Sequence, residues 1–128
     1  MWEEAQATYP FECCGILVGK LTQGEKVVEL TLPTPNAQKD SSENRFLIPP
    51  DEFLRAEKKA REEGYELLGF YHSHPDHPPR PSSYDLEYAW PTYSYLILSV
   101  EEKKPAGMNS WVLQDDRNGF HKETIELI

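Results

Sequence analysis

The sequence predicts an α/β fold, a three-layer mixed β-sheet flanked by helices, and two observations predict it. Segments with strand periodicity interleave with two or three of helical period, the pattern of a sheet covered on both faces. The chain is also the right size for one core. It has 128 residues, 38% of them apolar, with three Trp, seven Tyr and five Phe for bulk. That suits a single domain over residues 1–128 and places it above the disulfide-dependent range. There is no internal repeat and no low-complexity tail.

Each element follows from local pattern. Residues 2–8 form a short helix with Trp2, Ala5 and Tyr9 on one face; about two turns are stable only when docked. Residues 13–18 read as a buried strand, and residues 25–32 alternate Val27, Glu29, Thr31 against Val28, Leu30, Leu32. Pro33 and Pro35 are expected to end the latter. Residues 45–48 form a short strand closed by Pro49-Pro50. Asp51 then caps a helix running to Glu63, with Phe53, Ala56 and Ala60 inward, Glu57 and Arg61 paired on the wet face and Gly64 as the stop. Residues 66–74 are a strand and residues 82–89 a second helix, halted before Pro91. Residues 95–100, 109–113 and 120–126 complete the set as strands. Of eleven prolines, Pro75, Pro78, Pro79 and Pro81 fall together. That stretch is neither helix nor central strand, so it is a stiff connector.

Charge and cysteine usage exclude several functions. With 22 acidic against 13 basic residues the net charge is −9, which opposes nucleic acid and anionic membrane as partners. The first ten residues have no basic or apolar signal region, and the longest apolar runs are strand-sized. The two cysteines, Cys13 and Cys14, are sequence neighbours. Adjacent Cα atoms sit about 3.8 Å apart, too close for normal disulfide geometry, so a reducing, cytoplasmic setting is expected.

The chemistry concentrates between Phe70 and Asp85. On a strand, His72 and His74 present two imidazoles to one face. Tetrahedral zinc takes such nitrogens at about 2.0–2.1 Å, and three protein ligands leave one position open for reaction. Asp85, one turn into a helix brought back by the proline loop, is placed to be the third. Ser82, three residues before Asp85, also fits an ordinary helix-capping pair. His77 between prolines reads as a solvated side chain, and His121 as a structural one.

The conjunction His-x-His-Pro, seven residues after His74, then Ser82-x-x-Asp85 resembles the motif of the JAMM (MPN-plus) metallopeptidases. The family's upstream glutamate matches Glu12, within Pro10-Phe-Glu-Cys-Cys-Gly15, a version seen in bacterial members. Looser likeness extends through Gly15-Ile-Leu-Val-Gly19, Phe46-Leu-Ile-Pro49 and residues 89–100. The resemblance implies an MPN/JAB architecture, akin to that of cytidine deaminases, and one zinc ion held by His72, His74 and Asp85. It further implies a water of lowered pKa, Glu12 as general base and Ser82 as donor to the developing oxyanion. Two rivals are weaker: a Cys13 or Cys14 thiol nucleophile, and a zinc nucleobase deaminase, whose His-x-Glu and Pro-Cys-x-x-Cys signatures are absent.

Members of this family cleave the amide after the C-terminal Gly-Gly of ubiquitin or ubiquitin-like proteins, a tail thin enough to approach a metal and able to dock by strand addition. There is little room after Asp85 for the insertion that grips a second ubiquitin, which argues against a dedicated polyubiquitin protease. Bacterial look-alikes imply a sulfur-carrier protein of the ThiS/MoaD type as partner, with release of cysteine from a carrier–cysteine adduct. The alternatives are a processing or isopeptidase protease for ubiquitin-like modifiers and a non-catalytic MPN scaffold. Family members often carry a longer first helix, whereas nine residues precede Pro10 here. The face so uncovered would favour a homodimer.

Overall fold

Helix α1 (Trp2–Thr8) leads into a six-stranded sheet built from β1 (Cys14–Thr22), β2 (Glu25–Thr34), β3 (Glu66–Pro75), β4 (Ser94–Glu101), β5 (Lys104–Leu113) and β6 (Phe120–Glu123), with helix α2 (Pro50–Glu62) between β2 and β3. This computed structural model describes residues 1–34, 50–81, 92–114 and 119–126. The expected strand at 45–48 and helix at 82–89 lie outside them. Strand order is β2-β1-β3-β4-β5-β6. Among the described residues only the β3–β4 pair is parallel, so the sheet is mixed.

Alternation along the central strands divides the core between two faces. Leu17, Tyr71, Leu96 and Leu98 point to one side, where Ala5 of α1 docks with Trp2 and Tyr9 against it. Ile16, Val18, Phe70 and Tyr95 point to the other, under Ala56, Ala60 and Phe53 of α2. Phe53 stacks on Phe70 at 6.1 Å between ring centroids. The two described helices therefore cover opposite faces, the three layers expected. Among the described residues no helix is long and apolar enough to cross a membrane.

Some boundaries move, each for a local reason. Helix α2 begins at Pro50, so Asp51 is not its cap but lies with Glu52 in the first turn, where acidic groups favour the helix dipole. Its end matches expectation: Tyr65 N–H reaches the Ala60 carbonyl (2.8 Å) across Gly64, whose φ is 77°. Strand β2 continues through Pro33 to Thr34 because it is an edge strand, where a missing N–H is tolerated. β5 starts at Lys104, joined to β4 by a tight turn in which Glu102 and Lys103 both take positive φ (47° and 69°). β6 ends at Glu123 rather than 126. Where β3 and β4 first pair, a Cβ on Gly69 would sit 2.0 Å from the Ser94 carbonyl oxygen, so that approach admits no side chain.

Candidate metal centre

The paired histidines occupy the C-terminal end of β3, flanked by β1 and β4. His72 and His74 share the face covered by α2, and both are buried. Their Nε2 atoms lie 3.0 Å apart. The His74 Nδ1 is 2.9 Å from the Pro78 carbonyl oxygen. A carbonyl only accepts, so Nδ1 carries the proton and the Nε2 lone pair is turned toward His72. The expected stiff connector thus acts on the site directly, by fixing an imidazole tautomer.

Glu12 lies just before β1. Cys14 stands opposite His72 in the β1–β3 ladder, so Glu12, two residues upstream, approaches the same face. It is 4% exposed. The turn to it is set by Ser73, whose side chain lies on the opposite face from the histidines. Ser73 N–H donates to the Cys13 carbonyl (3.1 Å) as the ladder requires, but Cys13 N–H returns its bond to Ser73 Oγ (2.9 Å). The hydroxyl closes the ladder where the two backbones part. Glu12, His72 and His74 can each offer one ligand atom with all three atoms within 4.8 Å of one another.

The two imidazoles are spaced to fit zinc. Two ligands held at about 2.0–2.1 Å around a tetrahedral ion are roughly 3.4 Å apart, close to the 3.0 Å between the two Nε2 atoms. Imidazole with carboxylate is a borderline-soft N/O set suited to zinc, and the Nδ1–H bond to a backbone carbonyl is the outer contact that metal-bound histidines make. Ser82 and Asp85 lie outside the described residues, which run to Pro81 in this segment.

The other candidates separate from this group. His77 is exposed in the loop, 6.5 Å from His74 between ring centroids. His121 is exposed on β6 rather than structural, since β6 is the sheet's outer edge. Cys13 and Cys14 are buried and not disulfide-bonded. Burial pushes their thiols up to about 11 and about 12, despite hydrogen bonding from Ser73 and Thr34 respectively. Almost no thiolate exists at neutral pH, which removes the thiol nucleophile.

Sequence reasoning does not single out Ser73, Ser99 or Asp76. Ser99 Oγ donates to the His77 carbonyl (2.5 Å). Asp76, at φ 58°, accepts from the Tyr9 hydroxyl (2.5 Å) and from Glu102 N–H (2.9 Å), tying the α1 exit, the loop and the β4–β5 turn together. The available signal was the shortage of N–H groups in a proline-rich loop, whose carbonyls need donors from elsewhere.

An α/β sheet covered by a helix on each face, with two imidazoles and a carboxylate converging at the end of a central strand, defines a class of protein with a buried candidate metal centre. Residues 1–114 match the family of prokaryotic homologues of the JAB domain, and the chain belongs to that family. It is 35% identical over 107 residues to a desampylase of Haloferax volcanii, covering 81% of this chain and 73% of that protein. It is 36% identical over 81 residues to a probable TtuB-protein conjugate cleaving protease of Thermus thermophilus, covering 63% of this chain and 54% of that one. A protein of Desulfitobacterium hafniense, solved in solution, superposes with a TM-score of 0.87 at 37% identity, over 100% of this chain and 86% of that one.

Proposed function

We propose that this protein is a zinc-dependent amide hydrolase that cleaves a ubiquitin-like protein from its conjugates at the carrier's C-terminal Gly-Gly. The observation that carries the reading is the buried group of Glu12, His72 and His74, with the His74 tautomer fixed by the Pro78 carbonyl. His72 and His74, joined by Asp85 as the motif implies, would hold the ion. Zinc, when bound, supplies Lewis acidity and a water of lowered pKa. Glu12 takes the proton of the attacking water on a carboxylate oxygen and passes it to the leaving amine nitrogen. Its burial beside the two imidazoles keeps that carboxylate aimed at the reacting atoms and screened from bulk water. Ser82 donates its O–H to the substrate carbonyl oxygen as negative charge builds there.

Two acceptors fit the leaving side. The name of the Thermus relative supports a protein conjugate. Resemblance to small bacterial members supports cysteine, released from a ThiS/MoaD-type sulfur carrier by one catalytic domain in the cytoplasm. Presenting both substrates, a carrier with a C-terminal cysteine and the same carrier linked through a lysine, separates them by which amine appears. In either assay Glu12→Gln should retain zinc and fold while turnover falls about 10²–10⁴-fold. Retained turnover removes Glu12 from its role. No turnover from the zinc-loaded wild type, with a stable carrier complex, would mark a scaffold instead.

A further inference from the structure

Beyond its ligands, the site depends on how the proline loop points one carbonyl. Proline fixes φ but leaves ψ open, so rigidity alone does not aim the Pro78 oxygen at His74. That oxygen accepts a second bond, from Arg80 N–H (2.8 Å), closing a three-residue turn around Pro79. Arg80 N–H belongs to the same planar peptide unit as the Pro79 carbonyl, and the two groups point in opposite directions from it. Whatever grips the Pro79 carbonyl therefore orients Arg80 N–H toward Pro78. Two side chains of β5 do so: Trp111 Nε1 donates to Pro79 O at 3.0 Å and Asn109 Nδ2 at 3.3 Å. They are i and i+2 on one strand, on the same sheet face as the histidines, since Asn109 pairs with Ile97 and Ile97 with His72.

We infer that Trp111, with Asn109, is a positioning residue for His74: their donors fix the Pro79–Arg80 peptide plane, which sets the Pro78 carbonyl that holds the His74 imidazole in its ligating tautomer. The consequence for zinc affinity rests on the reading of His72 and His74 as ligands; the consequence for the imidazole does not.

The experiment uses the full chain with Trp111→Phe, Asn109→Ala and the double variant, the phenyl ring retaining most of the packing while removing the N–H. Zinc affinity is measured by competition with a chromophoric chelator. The His74 tautomer is read from long-range 15N–1H correlations in the zinc-free protein. Loss of a direct outer partner typically weakens metal binding about 10–100-fold, and this clamp acts one link further out. The double variant should therefore bind zinc about tenfold more weakly and show a growing Nε2–H population at His74, with each single variant between it and wild type. Wild-type affinity together with an unchanged His74 tautomer in the folded variants overturns the proposal. If the double variant does not fold, Asn109→Ala alone decides by the same two readouts. A wild type that takes up no zinc sinks the hydrolase reading, while the tautomer shift still decides the clamp.

Discussion

Replacing Ser73 by alanine isolates the bond that turns the chain toward Glu12. Ser73 is fully buried and Cys13 is 4% exposed, so water cannot substitute for the lost hydroxyl. The volume removed is a single oxygen, too small for a cavity penalty to dominate. What remains is the Cys13 N–H, 2.9 Å from the oxygen that would be gone. An orphaned buried donor costs about 1–3 kcal/mol, worth roughly 3–5 °C in melting temperature per kcal/mol at this chain length. Denaturant and thermal unfolding of Ser73→Ala beside Ser73→Cys tests the cause. Sulfur fills the space but accepts weakly, so the cysteine variant should fall near alanine. If cysteine restores wild-type stability, volume is responsible and the hydrogen-bond argument is wrong. A Ser73→Ala protein within about 0.5 kcal/mol of wild type, the ordinary spread for inconsequential sites, would refute it too.

Two further outcomes follow from charge and burial. The Tyr9 hydroxyl, and then Glu102 N–H, hold the Asp76 carboxyl below its ordinary 3.8; a depressed folded-state value stabilises the fold above that pH and is lost as pH falls below it. The melting temperature of wild type should therefore drop more steeply on acidification than that of Asp76→Asn, and parallel curves would deny the coupling. Cys13 and Cys14, raised by burial, should resist alkylation at mildly alkaline pH until the chain is unfolded, and Cys13→Ser should keep its turnover. Rapid labelling of the folded protein would contradict the inert-thiol assignment.

The legible parts of this protein are those where one period decides the matter. A two-residue repeat put His72 and His74 on one face, and a helical stripe put Ala56 and Ala60 inward, because both depend only on near neighbours. Glu12 is different. A lone glutamate before an apolar strand carries no periodic signal, and only the motif around it suggested a role. Ser73 sits between two histidines like a spacer; its function arises from a ladder that departs from regularity, which is a property of two strands and not of one. The path of β2 through Pro33 was hidden for a similar reason, since tolerance of proline depends on which strand lies at the edge. The turn at Glu102 and Lys103 lacks the Asn-Gly or Gly that usually marks positive φ, so β5 read as starting later than it does.

The parallel pairing of β3 with β4 links these local facts to the site. Parallel neighbours need a long crossover rather than a hairpin, so the chain leaving His74 must begin its return at the very edge where the two imidazoles lie. It also places the C-terminal ends of both strands side by side, with His74 opposite Ser99 and Pro75 opposite Val100. The first stretch of the crossover is then held to the sheet: Asp76 N–H by the Val100 carbonyl, the His77 carbonyl by Ser99, and the Pro79 carbonyl by β5. The topology thus makes the proline run part of the site: four prolines remove donors from the segment, and the sheet beneath supplies them in fixed positions.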